Sequence, residues 1–230
     1  MTLATGDHLR RPTIRIVTIV KLRLLSMTAL ALMTAACARE GQIDDGGIYV
    51  VRSTCPQPGI PAGTGDITLF DPAGSTTAAA IDVEAAITNL RVTCDESGDF
   101  IVSTAGFDVV ATRRDAGPAR QVVLPFFNVV MRGGTSVAAK KVGAVALDFP
   151  AGAIRASTSS RVAVQVHRGA ASLSPEVRAE LTRKRKAGDP DAAVDPLSDP
   201  KIRDAVAQAT FEHLVGFQLT DEQLRYNATR

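Results

Sequence analysis

Residues 80–94 read AIDVEAAITNLRVTC. In the first half of this stretch Ile81, Val83, Ala85 and Ile87 fall on alternate positions, with Asp82 and Glu84 between them. A period of two sends successive side chains to opposite faces of an extended strand, so an apolar row backed by acidic residues describes one buried face and one wet face. The turn-rich DESGD of residues 95–99 follows, and residues 100–113 resume with FIVSTAGFDVVATR. Two β-rich runs joined by Asp, Ser and Gly predict a hairpin.

Outward from this hairpin the pattern repeats. Runs rich in Val, Ile, Thr and Phe occupy residues 48–53, 66–70, 80–94, 100–113, 121–131, 141–149 and 161–167, with Gly, Pro, Asp and Ser clusters between them. Asp115-Ala116-Gly117-Pro118 and Arg132-Gly133-Gly134-Thr135 read as further turns, so sequential antiparallel strands are expected. Val162, Val164 and Val166 share a second apolar face. Pro125 interrupts the apolar run 122–131; having no N–H to give a ladder, it points to an edge strand or bulge that could pair with a partner. The other reading of Val122 to Phe127 is a core strand carrying Phe126 and Phe127.

Helical signals come late. Ser174 can cap a helix with Pro175 at its first position, running to about Lys186, and Asp199-Pro200 repeats the arrangement for a helix to about Ala209. The two suggest a helical hairpin over about residues 174–209. Phe211, His213, Val215, Phe217 and Leu219 then alternate as a final strand, and Thr220 with Gln223 has capping-box spacing for a short terminal helix on which Leu224 and Tyr226 can pack. The expected fold is mainly β: an immunoglobulin- or fibronectin-like antiparallel β-sandwich over residues 48–230, with the helical hairpin inserted before the last strand and a short C-terminal helix.

The N-terminal 36 residues have a different character. A basic region ending at Lys21 and Arg23 precedes the apolar LLSMTALALMTAA of residues 24–36, and Cys37 follows. Thirteen helical residues rise about 20 Å, short of a hydrocarbon core of about 30 Å, so the segment reads as the h-region of an export signal. Met33-Thr34-Ala35-Ala36-Cys37 resembles the bacterial lipobox, with Thr34 where Leu is usual. That resemblance implies cleavage before Cys37, acylation of its sulfur and amino group, and membrane attachment through the lipid chains. An ordinary secretory signal cut after Ala36 is the alternative. Residues 37–47, polar and Gly-rich, read as a lipidated Cys and a flexible tether. Ala38 lacks the Asp that retains many lipoproteins at the inner membrane, which favours the outer membrane.

Lipidation of Cys37 leaves Cys55 and Cys94, and export to an oxidising space favours a disulfide between them. A free buried Cys or a catalytic thiol remains open; no C-x-x-C pair is present.

The chain's formal charge of +2 also belongs to its start, because the first 36 residues hold five basic groups and one acid, leaving −2 for the rest. No basic footprint for nucleic acid remains. Eight Phe, two Tyr and no Trp leave little material for stacking platforms. His167 and His213 lie on separate runs without metal-ligand spacing, and no nucleophile elbow, phosphate loop, dinucleotide fingerprint or calcium loop occurs, so no catalytic residue, metal or cofactor is expected.

The run LVGFQLTDEQLRYN of residues 214–227, with residues 86–94 and Leu124-Pro125-Phe126-Phe127, resembles a group of uncharacterised alphaproteobacterial envelope lipoproteins. The resemblance implies an exported β-rich domain and carries over no activity and no catalytic residue.

The expected role is therefore binding or structural: a lipid-anchored protein facing the periplasm that engages another envelope protein. Its candidate contact residues are Pro125 and Phe126 at the expected edge and the basic run Arg183, Lys184, Arg185 and Lys186 on the helical insertion. The basic run also fits a solvated helix C-terminus, where cations are favoured. The alternative is a periplasmic small-ligand carrier or enzyme whose site assembles only in space, near His167 and His213.

Overall fold

The computed structural model describes residues 53–185 and 188–229, together with the backbone of two short strands before them. Those strands, β1 (Ile43–Asp44) and β2 (Gly47–Ile48), pair antiparallel within a first unit, Met1–Tyr49. Part of the expected tether is thus paired strand. Most of the run 48–53 lies outside the described residues, as does Cys37.

The second unit, Val50–Arg230, is mainly β. Its strands are β3 (Gln57–Gly59), β4 (Asp66–Phe70), β5 (Ile81–Asp95), β6 (Phe100–Arg113), β7 (Arg120–Arg132), β8 (Ser136–Phe149), β9 (Arg155–His167) and β10 (Phe211–Phe217). They form two four-stranded sheets, ordered β3-β10-β7-β8 and β4-β5-β6-β9. Every pairing in them is antiparallel except that of β3 with β10.

The alternation seen in residues 80–94 sets β5 as expected: Val83, Ala85 and Ile87 are buried and Glu84 is exposed. A bulge between Thr88 and Arg91 then shifts the phase, so that Leu90 and Val92 continue the apolar side. β5 and β6 form the expected hairpin, and β7 and β8 form another around Gly133 and Gly134, both at positive φ. The turn after β6 behaves differently. It carries the chain to the other sheet, because β6 pairs with β5 and β9 and not with β7. A turn signal marks where a strand ends and says nothing about which sheet comes next.

β8 and β9 begin earlier than the runs 141–149 and 161–167 suggested. Residues 136–140 (SVAAK) and 155–160 (RASTSS) are small and polar, so no apolar alternation announces them, yet their backbones continue the ladders with β7 and β6.

Helices α1 (Pro175–Thr182) and α2 (Pro200–Gln208) fill the insertion, each capped as read: the Ser174 side chain accepts from Val177 N and that of Asp199 from Lys201 N. They do not make a packed helical hairpin. α1 stops before the basic run, α2 packs on the 3-10 turn Pro196–Ser198, and neither helix has a buried residue. With no apolar stripe buried, nothing draws the two together. Helix α3 (Asp221–Thr229) carries the capping box in full, Gln223 N donating to Thr220 Oγ1 at 3.2 Å and Thr220 N to Gln223 Oε1 at 2.9 Å. Tyr226 packs edge-on against Phe70 at 5.0 Å, whereas Leu224 is exposed. No helix among the described residues is long and apolar enough to cross a membrane.

The sheets enclose two apolar clusters. The larger includes Val83, Phe107, Val109, Leu124, Phe126, Leu147, Phe149, Val215 and Phe217, and the smaller Ile101, Val130, Val166, Ala171 and Phe211. Along β6, β7 and β10 a single inward position separates them, and it is polar in all three strands.

Candidate functional site

That layer is built from Ser103 on β6, Asn128 on β7 and His213 on β10. Ser103 Oγ lies 2.9 Å from His213 Nδ1, and His213 Nε2 lies 2.7 Å from Asn128 Oδ1. Asn128 Nδ2 reaches the Ala163 carbonyl on β9 at 3.5 Å. With the amide nitrogen turned to that carbonyl, Oδ1 accepts from Nε2–H and Nδ1 accepts from the serine hydroxyl, which is a neutral imidazole with both nitrogens satisfied.

The sequence of serine, imidazole and orienting amide is that of a nucleophile, its base and the group that aligns the base. Solvent, however, reaches neither Ser103 nor His213, both 0 % exposed, and Asn128 is 5 % exposed. Burial pushes the His213 pKa down from 6.5 to about 4, so the ring is neutral at pH 7. In this geometry the three side chains hydrogen-bond one sheet to the other across the core.

His167 takes no part. It is exposed at the end of β9, packs edge-on against Phe100 at 5.4 Å, and accepts a hydrogen bond from Gly169 N through Nδ1. The two histidines do not form one pocket: one is solvated and the other enclosed.

Cys55 and Cys94 are joined in a disulfide with Cα atoms 6.2 Å apart. It fastens the segment before β3 to the end of β5. The Glu96 carboxylate lies beside the two sulfurs and accepts from Thr54 Oγ1 at 2.7 Å. Sulfurs bonded to each other offer no thiolate to a metal.

The expected contact residues meet different fates. Phe126 is a core residue, 5 % exposed and edge-on to Phe107 at 5.3 Å, so it is corrected from contact surface to core. Pro125 is exposed, but β7 is an interior strand between β10 and β8. It is tolerated there because its ladder side faces β10 just where that strand ends: Gln218 N donates to the Pro125 carbonyl at 2.9 Å, and only the reciprocal bond is missing.

Arg183 and Arg185 are both paired with Glu180 and Asp191. Hydrogen bonds from Arg183 hold both carboxyls below the usual carboxylate range. These two arginines are thus a neutralised local knot rather than a cationic patch. Lys184 is exposed beside them, and Lys186 lies outside the described residues.

Comparison with protein-family models, with curated proteins and with solved structures gives no match. The chain's own geometry is therefore the ground for any functional reading.

Two surfaces stand out that the sequence pattern did not reveal. The first is β8. It has β7 on one side and, among the described residues, no strand on the other, and residues 136–144 are exposed at every position. On its outer side Val142 (59 %) and Val123 of β7 (56 %) are exposed together with Pro125, Ala144 and Ala146. The second is the outer face of the other sheet, where two open grooves of about 750 and 580 Å³ cross β5, β6 and β9.

The inward polar layer was also missed, although its signal was present. Asn128 shares the parity of Val122, Leu124, Phe126 and Val130, and His213 that of Phe211, Val215 and Phe217. A polar residue on the apolar side of a strand demands a buried partner.

Proposed function

We propose that this chain is a lipid-anchored bacterial cell-envelope protein with a non-catalytic, protein-binding role. In this reading acylated Cys37 holds it on a membrane, the outer one favoured, with the domain facing the periplasm. It stands with the envelope lipoproteins that residues 214–227 resemble, and its two sheets make an immunoglobulin- or fibronectin-like sandwich, a fold that hosts binding through edges and outer faces.

The observation that carries the binding role is the open edge of β8. Because Pro125 turns its ladder groups to β10, its partner Ala144 turns its own N–H and C=O away from β7, and Val142 and Lys140 do the same. These groups are available to an extended segment of another chain lying alongside. Lys140 and Lys141, on opposite faces, favour acidic side chains in such a segment. The exposed Val142, Ala144 and Val123 give it apolar surface to cover.

The test uses the native protein in its own cells, crosslinked and compared with Val142→Pro and Ala144→Pro. Either proline replaces an outward N–H and leaves the β7 ladder intact. Loss of a stoichiometric partner in both variants, with the melting temperature preserved, supports the edge; retention of the partner in both overturns it. Palmitate labelling that survives Cys37→Ser would sink the lipid anchor at that residue.

A further inference from the structure

We propose that the groove over Gly106 on the outer face of β5, β6 and β9 binds a phosphate group. The inference is independent of the β8 edge, which belongs to the other sheet.

Gly106 is in the middle of β6, where a glycine weakens a strand. Neither packing nor backbone conformation explains it: a Cβ added there meets nothing within 4 Å, and its φ is not positive. What it does is leave a floor without a side chain. The residues across from it on the two neighbouring strands are both arginines, Arg91 on β5 and Arg161 on β9, each in register with Gly106. Strands about 4.8 Å apart set the two arginine backbones roughly 10 Å from each other, so guanidinium groups on both sides can reach one ligand over the glycine.

The two arginines are prepared differently. Arg161 is exposed and makes no hydrogen bond or ion pair among the described residues. Arg91 Nη2 donates to Asn89 Oδ1, Asn89 Nδ2 donates to Asp108 Oδ2 at 2.6 Å, and Ser159 Oγ donates to Asp108 Oδ1 at 2.6 Å. Asn89 is the one non-glycine residue at positive φ (57°) among the described residues, and it sits in the β5 bulge. The bulge, the left-handed Asn89 and the ionised Asp108 together fix Arg91 at the groove. Thr93, Thr104 and Ser159 add hydroxyl groups to the lining.

Two arginines facing each other across a bare strand suit a tetrahedral anion. A carboxylate is satisfied by a single guanidinium fork, whereas phosphate presents oxygens and charge to both sides at once. The one aromatic residue along the groove, Phe107, is buried in the core and offers no platform for the ring of a sugar or base, so the phosphate itself is the recognised group.

The experiment titrates the full chain, in a neutral detergent, with glycerol phosphate and with glycerol as the uncharged control, following amide and arginine side-chain resonances. Saturable shifts at Arg91, Gly106 and Arg161 with the phosphate alone are expected. Arg161→Gln, which breaks no hydrogen bond or ion pair among the described residues, weakens binding about tenfold. Gly106→Val fills the floor and abolishes binding while the melting temperature holds. Vesicles of phosphatidic acid against phosphatidylcholine separate the sources: flotation that depends on Arg161 assigns a lipid headgroup, and binding of the soluble ester alone assigns a free phosphate compound. No saturable shift with glycerol phosphate, unaltered affinity in Arg161→Gln, or an equal loss in Lys201→Gln on α2 would each overturn the proposal.

Discussion

His213 Nε2 lies 2.7 Å from Asn128 Oδ1 in a layer that water does not reach. The imidazole is therefore kept neutral, and charging it inside the core costs free energy that the unfolded chain does not incur. Between pH 6.5 and about 4 the unfolded state binds a proton at this site that the folded state refuses. Stability is thus highest above pH 6.5 and falls as the pH drops through that window, by about 3 kcal/mol in all. Denaturant titrations at pH 7.5, 5.5 and 4.5 should show the decline, and His213→Gln should flatten it. A wild-type profile that is level from 7.5 to 4.5 would refute the assignment.

Ser103 belongs to the same layer, and its hydroxyl is the donor that satisfies His213 Nδ1. Ser103→Ala leaves a buried acceptor without a partner and should cost about 1 to 3 kcal/mol. A fluorophosphonate probe should leave Ser103 unmodified in the folded protein, because it is 0 % exposed. Labelling at Ser103 would show instead that the layer opens and that the serine is activated.

At the opposite end of β6, Arg113 fastens the connections between the two sheets. Its guanidinium donates to the carbonyls of Ala153, Gly117, Pro118 and Pro150 and lies over the Phe149 ring at 5.3 Å. One buried cation thereby ties together two of the crossovers between the sheets, β6 to β7 and β8 to β9. Arg113→Met should destabilise by about 2 to 3 kcal/mol, and Arg113→Lys should recover little, since a single ammonium cannot reproduce a planar fork. Equal melting temperatures for Arg113→Lys and wild type would contradict this account.

The disulfide makes a different kind of contribution. Cys55 and Cys94 are 39 residues apart, and closing a loop of that size stabilises the folded state by roughly 3 to 4 kcal/mol in the chain-entropy model. Reduction, or Cys55→Ser with Cys94→Ser, should lower the denaturation midpoint and steepen the denaturant slope, because the unfolded chain freed of its loop is more expanded. A midpoint insensitive to reductant would mean that the loop is already ordered without the bond.

Local chemistry determined the elements. Runs rich in Val, Ile, Thr and Phe placed residues 66–70 and 100–113 as strands with the bounds of β4 and β6; alternation marked β10 through Phe211 to Phe217 and fixed which side of β5 is buried; Ser174, Asp199 and Thr220 announced their helices. These signals are carried by neighbouring residues and act wherever the chain lies. Partners were decided only by the tertiary structure. Alternation tells which face a side chain takes and is blind to the strand beside it, so the crossover after β6 could not be read, and the core-strand reading of residues 122–127 stood beside an edge reading until β10 and β8 were seen to flank β7. The charge of Arg183 and Arg185 looked free until Asp191 folded back onto it. Ser103 meets His213 across 110 residues, and Arg91 meets Arg161 across Gly106 only because β5 and β9 flank the same strand. Hydrogen bonding between strands is nonlocal, and the candidate site is made of nothing else.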